Sequence, residues 1–290
     1  MRLTPFRLHR PASLEEASAL LDELGEEALP YCGGTELLLV AKLGLTDFTD
    51  LVDVKRIEEL RGIDAADGEL RIGASATHRE VERSRLVAAR WPSLAAMERG
   101  VGNLRVRNVG TIGGNLCFAD PHSDPATYLM AAGGSVSVRR GTQPARRIAL
   151  EDFVVGPYAT TLEPGELLTA VHVPAPAAGT AFVHRKMSFH ERPAITVAVN
   201  LTLEGGAVAG ARVAVGSVSV APQRASGAER ELLGLGGPVA QRLAAAGDAA
   251  AHEVEPVADT NGSVEYKRQL VRVLVERCAR EALAAGAPAA

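Results

Sequence analysis

No C-x-x-C pair and no even set of cysteines occurs in this 290-residue chain. Cys32, Cys117 and Cys278 stand far apart, which excludes a zinc site or an iron–sulfur cluster held by this chain and reads as three reduced thiols. No apolar run approaches the roughly 18 residues that span a bilayer. The opening residues Met1-Arg2-Leu3-Thr4-Pro5-Phe6-Arg7 lack the apolar core and small-residue cleavage site of a signal peptide. The expectation is a cytoplasmic protein with no membrane partner. The formal charge of −4 points to no nucleic acid or anionic surface. No P-loop occurs, and Gly100-Val101-Gly102-Asn103-Leu104-Arg105 lacks the third glycine of a dinucleotide fingerprint. The seven histidines are scattered, so no nucleophile–base set for hydrolysis is assembled in sequence. No internal repeat is found.

What the chain does have is two glycine pairs in polar settings. The first is Tyr31-Cys32-Gly33-Gly34-Thr35-Glu36; the second is Thr111-Ile112-Gly113-Gly114-Asn115, preceded by Arg107-Asn108-Val109-Gly110. Paired glycines permit positive φ and remove two Cβ atoms, so backbone can lie against a flat or anionic ligand. Thr35 stands where a helix N-cap is expected, and a helix N-terminus after a glycine turn offers N–H groups to phosphate. Either loop alone reads as an ordinary tight turn. Together they predict a site for one pyrophosphate. Arg105 and Arg107 are candidates to screen its charge or are solvated cations. Asp120, His122 and Asp124 alternate as metal ligands do, but a lone His between two carboxylates reads as a solvated loop.

Elsewhere, hydrophobic period and turn chemistry set the elements. Ser13-Leu14-Glu15-Glu16 is a capping box opening a helix with Leu14, Ala17, Leu20, Leu21 and Leu24 on one stripe, closed by Gly25. A helix over 35–43 and a strand at 50–54 complete a small α/β unit over residues 1 to about 60. Asp67-Gly68 predicts a hairpin. Thr77-His78-Arg79-Glu80 predicts a capped helix running toward Trp91-Pro92, with another from Ser93. Asp124-Pro125 predicts a helix over 126–132 with Asp124 as cap. Strands follow at 135–139 and 167–173, and the Pro/Ala-rich stretch 174–179 is the best linker. Beyond it, strands at 194–203 and 208–218 precede helices at 226–235, 238–251 and 263–283, the last with Leu270, Leu274 and Cys278 on one stripe beside Val271 and Val275. The fold class is α+β. Residues after 284 are expected to form a disordered tail.

The two glycine segments, Asp120-Pro121-His122-Ser123-Asp124 after them, and Gly165-Glu166-Leu167-Leu168 before Val171-His172-Val173-Pro174 resemble, in this order, the flavin-carrying medium subunit of the molybdenum hydroxylases. That family holds xanthine dehydrogenases and aerobic carbon monoxide dehydrogenases, and the likeness covers nearly the whole chain. It implies a two-part FAD-binding domain of the PCMH type over residues 1–176 (parts 1–60 and 61–176). A small C-terminal α+β domain over 177–285, an antiparallel sheet with helices, and a tail at 286–290 follow. It implies FAD contacts from Tyr31, Cys32, Gly33, Gly34, Thr35, Glu36, Thr111, Ile112, Gly113, Gly114 and Asn115. Asp124 is assigned to the adenosine side, Val101 to an apolar contact and Leu168 to a cover over the flavin. A base from Arg185 or Lys186, with Lys186 preferred, faces the ring. No metal is implied at residues 120–124, and the Cys-bearing insertion that gives some medium subunits an extra cluster is missing.

The resemblance also implies partners. A small subunit with 2Fe-2S clusters and a large molybdopterin subunit would join this chain, as a dimer of heterotrimers. The chain would then pass electrons and carry no catalytic residue of its own. Phe189-His190-Glu191-Arg192-Pro193 departs from the family's usual pattern, which leaves open the ring's surroundings and its acceptor: NAD, a quinone or another. The alternative is a stand-alone flavin-fold binding or scaffold protein without redox activity.

Overall fold

The structure, a computed structural model, describes residues 3–189, 192–233 and 239–286. Its first lobe holds β1 (Arg7–His9), α1 (Leu14–Leu24), β2 (Ala28–Tyr31), α2 (Leu37–Lys42) and β3 (Asp50–Asp53). The strands pair in parallel in the order β1-β3-β2, as the alternating helix and strand pattern predicts. Ser13 caps α1, its hydroxyl accepting from the Glu16 N–H at 3.1 Å. The Glu16 carboxylate accepts instead from the Ala12 N–H, one residue before the expected partner. In β3, Asp50 is buried, yet it accepts from Arg7, His9 and Thr49. The Arg7 guanidinium, then His9 and Thr49, hold its carboxyl well below the usual carboxylate range.

The middle lobe contains β4 (Ile63–Ala66), β5 (Glu69–Gly73), α3 (His78–Arg83), α4 (Arg85–Arg90), α5 (Pro92–Gly100), α6 (Leu104–Val109), α7 (Ile112–Phe118) and α8 (Asp124–Ala132). β6 (Ser135–Arg139), β7 (Arg146–Ala149), α9 (Leu150–Phe153), the hairpin β8 (Val154–Gly156) and β9 (Ala159–Thr160), and β10 (Leu167–Pro174) follow. The sheet is antiparallel, ordered β4-β5-β10-β6-β7. Central β10 is buried from Leu167 to Val173, and a bulge between Leu168 and Ala170 breaks its register with β6. Asp67 and Gly68 both take positive φ, 51° and 80°, as a two-residue hairpin turn requires. The helix expected from Thr77 to Trp91 is split. Ser84 is extended, ends α3 and caps α4 through its hydroxyl, so a local side-chain bond replaces a continuous ladder.

The last sheet is β11 (Thr180–Ser188), β12 (Pro193–Glu204), β13 (Ala207–Gly216) and β14 (Gln223–Arg224), antiparallel in that order. α10 (Ser226–Leu232), α11 (Val239–Glu253) and α12 (Val264–Gly286) belong to the same core. The stripe that α12 buries is Lys267, Val271, Val275, Cys278, Ala279 and Ala282; Leu270 and Leu274 lie at its edge, half-buried. The expected seam was therefore rotated by one position. α12 runs to Gly286, whereas residues 234–238, expected to end one helix and begin the next, and 287–290 of the tail lie outside the described residues. No helix among the described residues is long and apolar enough to cross a membrane.

Helix α8 ties the lobes together. From Asp124 to Ala131 it is buried, and its Thr127 hydroxyl meets Thr196 of β12 at 3.0 Å. Gly216 of β13 lies so close that a Cβ would collide with Thr127 and stand 2.6 Å from the Thr196 hydroxyl. Gly216→Ala is accordingly expected to destabilise the protein by about 1–3 kcal/mol through overpacking. Urea unfolding should show a lower midpoint with an unchanged slope.

Candidate functional site

The two glycine segments face each other across a cleft of about 570 Å³. Its walls come from all three sheets. The first lobe contributes Cys32 to Leu37 and Leu39, the middle lobe Val101, Thr111, Gly113 to Asn115, Asp124 and Leu168, and the last sheet Lys186 and Arg192. Of the residues the resemblance selects, only Tyr31 and Ile112 are outside the lining. Ile112 is fully buried in the core, and the Tyr31 ring lies under the Lys55 ammonium at 3.8 Å, on the far side of the loop.

Of the four paired glycines, one takes the positive φ that the sequence predicts. Gly113 and Gly114 lie inside α7, so neither needs positive φ. A Cβ on Gly113 would stand 2.6 Å from the Ala74 carbonyl, and one on Gly33 would run into Val109 and come within 2.8 Å of the Gly110 Cα. Their bare backbone lets protein segments approach one another. Gly34 does need its φ of 69°. Gly114 alone among the four is exposed and has only the Thr111 hydroxyl beside its missing Cβ.

Donors for an anion are likewise unequal. The first N–H groups of α7 are satisfied internally: Ile112 to the Ala76 carbonyl, Gly113 to that of Ala74, both at 3.0 Å, and Gly114 to the Thr111 hydroxyl at 3.1 Å. The first loop differs. Among the described residues no acceptor is found for the N–H groups of Gly34, Thr35, Glu36 and Leu37. Thr35 is not the N-cap of α2, because Glu36, itself helical in φ and ψ, occupies that place without a side-chain bond. These adjoining donors suit the pyrophosphate of a dinucleotide. Opposite them, Ser123 donates to the Asn115 amide oxygen at 2.6 Å and fixes that side chain.

One end of the cleft is buried and charged. The Lys186 ammonium donates to Asp124 at 2.5 Å and to the Gly100 carbonyl at 2.7 Å. The bond places Asp124 and Lys186 at the same point of the cleft. Since Lys186 also touches the chain beside Val101, all three belong to one end. Ser123, not Asp124, caps α8, its hydroxyl accepting from Ala126. Arg185 points away and pairs with Glu281, which leaves Lys186 as the base at the cleft. Arg107 is held by Glu82 and the Val101 carbonyl, and neither it nor Arg105 lines the cleft.

Sequence reasoning missed four participants. His78 lines the cleft and bonds at 2.7 Å to Glu98, which is wholly buried. His184 comes within 3.9 Å of Asp124. Arg192 joins Glu36 and Asp120 across the cleft mouth, while His190 and Glu191 beside it lie outside the described residues. Their spacing carries no signal, because four separate elements bring them together. Burial lowers His184 to about 4 and raises Asp124 despite Lys186. Burial also raises Cys32, and Cys117 to about 12, so the two cleft thiols stay protonated and unreactive at neutral pH. Among the described residues no cluster suited to a metal ion is present.

A bipartite glycine cleft with a cradle of N–H donors and a buried polar end is built for a ligand of the dinucleotide class. Comparison with known proteins identifies which kind. Residues 4–176 match the family described as the FAD binding domain in molybdopterin dehydrogenase, and residues 184–282 the CO dehydrogenase flavoprotein C-terminal domain. The carbon monoxide dehydrogenase medium chain of Afipia carboxidovorans is 32% identical over 96% of this chain and 97% of its own. The xanthine dehydrogenase FAD-binding subunit of Escherichia coli O157:H7 is 28% identical over 96% of each. The solved structure of carbon monoxide dehydrogenase from Hydrogenophaga pseudoflava superposes with a TM-score of 0.94, at 34% identity and 99% coverage of both chains. The chain belongs to the FAD-binding medium subunits of the molybdenum hydroxylases.

Two outcomes separate the glycine roles. Gly114→Val should lose FAD while keeping its far-UV circular dichroism; full FAD occupancy would count against this loop as part of the site. Gly113→Ala should instead lower thermal stability with or without FAD, because its Cβ meets Ala74. His184 gives a pH dependence. Below its ordinary 6.5 the unfolded chain binds a proton that the folded chain refuses until about 4, so stability falls as pH drops through that window. At about 1.4 kcal/mol per pH unit between the two values, the loss is on the order of 3 kcal/mol. His184→Gln should flatten urea midpoints measured across the window, and the opposing contribution of the neighbouring Asp124 is read from the slope that remains in the variant.

Proposed function

We propose that this chain is the electron-transfer subunit of a molybdopterin-dependent hydroxylase or dehydrogenase. The observation that carries the reading is the donor cradle of Gly34 to Leu37, set against Asn115 and closed at one end by Asp124 and Lys186. Bound FAD supplies one- and two-electron chemistry that no side chain here offers. Around it Gly34, Thr35, Glu36 and Leu37 would hold the pyrophosphate through main-chain N–H groups, with Thr111 at the start of α7 and Asn115 within it on the opposite side. Val101 and Leu168 would exclude water from the flat ring, and Leu168 stands directly before the bulge in β10. Lys186, held by Asp124 and the Gly100 carbonyl, places a positive charge beside the ring.

Electrons would arrive from 2Fe-2S clusters on a small subunit, fed by a large molybdopterin subunit, and leave to NAD, a quinone or another acceptor. The assembly would be a dimer of heterotrimers in the cytoplasm, with the two parts of this chain meeting near residue 176. Relatives that align over nearly their full length are named for carbon monoxide, nicotine and xanthine. One scaffold beside such different substrates supports a substrate pocket on another chain.

The visible absorption spectrum of the purified chain, with identification of the flavin released on denaturation, tests the reading. Stoichiometric FAD is expected, together with co-purification of iron–sulfur and molybdopterin subunits from the native host. A chain that migrates alone and does not take up added FAD would favour a scaffold without redox activity.

A further inference from the structure

Five ionisable side chains crowd the closed end of the cleft, more than fixing a cofactor needs. The His78 ring and Glu98 form a dyad with side chains 3% and 0% exposed, and the second Glu98 oxygen has no hydrogen-bond partner among the described residues. Two residues on, the Gly100 carbonyl accepts from Lys186, whose ammonium also holds Asp124. The other Asp124 oxygen is buried without a partner, and so is the His184 Nε2, 3.9 Å away. Buried polar atoms are nearly always bonded. Here three orphaned atoms, on Glu98, Asp124 and His184, belong to groups that can each gain a proton and so change what they donate or accept.

We propose that Glu98, His78, Asp124, His184 and Lys186 form one buried proton-exchanging unit that takes a proton from solvent when the adjacent cofactor gains electrons. This rests on the FAD reading above. Charge balance supplies the reason. Electrons delivered into a low-dielectric cleft leave negative charge that water cannot screen, so a proton nearby lowers its cost. The electrons come from the reductant and the proton from solvent. It settles on a carboxylate or imidazole of the unit, whose net charge rises by one, and no covalent bond breaks beyond that transfer. The alignment at 3.9 Å between Asp124 and His184 leaves a place where a proton bound to either group creates a donor facing an acceptor.

Other charges near the unit are already committed. Arg185 on the same strand is paired to Glu281, and the Tyr128 hydroxyl on α8 is 2.8 Å from Ser93, its proton held tightly by burial. Arg79 on α3 and Arg107 on α6 are both bound to Glu82. The five groups therefore respond to one another and to whatever lies in the cleft.

The test counts protons. The FAD-loaded complex is reduced electrochemically through mediators in weakly buffered, mildly alkaline solution, and proton uptake per two electrons is compared with that of free FAD under the same conditions. Uptake above the free-FAD value is expected, with a steeper dependence of midpoint potential on pH. Glu98→Gln and His184→Gln should each bring both quantities back toward free FAD. Uptake equal to or below that of free FAD in the unmodified complex overturns the proposal, and this arm needs no variant to fold. A complex without flavin overturns the FAD reading as well; one with flavin and an ordinary proton count overturns the proton unit alone.

Discussion

The contact on which the molecule turns is backbone against backbone: Gly33 of the first loop pressed on Val109 and Gly110, where a single Cβ would drive the segments apart. Gly113 against Ala74 repeats the device one layer deeper. These approaches position the first-lobe donors opposite α7. The parallel sheet of the first lobe and the antiparallel sheet of the middle lobe have no strand pairing between them. Their register at the cleft therefore depends on these close approaches and on apolar packing in a shared core. A loop built this way is preorganised, so ligand binding need not order it.

Charge is handled in two contrasting ways. Asp50 is buried beneath three donors and is fully compensated, which makes it a structural carboxylate. At the closed end of the cleft, by contrast, compensation is incomplete: Asp124 has one bonded and one orphaned oxygen, and Glu98 the same. Incomplete compensation costs stability, and such costs gather where a protein binds or reacts. The same chain thus shows, side by side, what a carboxylate looks like when it serves the fold and when it serves the cleft.

Much was legible in the sequence. The glycine pairs, the Asp67-Gly68 turn and the strands before and after the linker follow from local chemistry that the fold does not override. Ser84 was missed because a serine inside a periodic run gives no sign of whether its hydroxyl will cap a new helix. The α12 seam was placed on Leu270, Leu274 and Cys278 with Val271 and Val275 beside it, since leucine outweighs valine in an apolar pattern. The tight packing of α11 on α12, with Gly247 against Arg272, selects the smaller residues instead. His78, Glu98 and His184 stayed invisible for a different reason: their meaning comes only from three elements converging at one point. For Gly33 and Gly113 the structure adds a cause that sequence cannot show, because a bare backbone that admits a ligand reads the same as one that admits another segment of the same chain.

Three sheets meeting at one cleft set a timetable for biosynthesis. Cys32 to Leu37 leave the ribosome before Lys186 of β11, and β11 is covered by α12, which is made later still. Domains generally fold as units during synthesis. The first two lobes can therefore be assembled while the floor of the cleft is still unmade, and cofactor loading becomes a late event, completed only after α12 has docked.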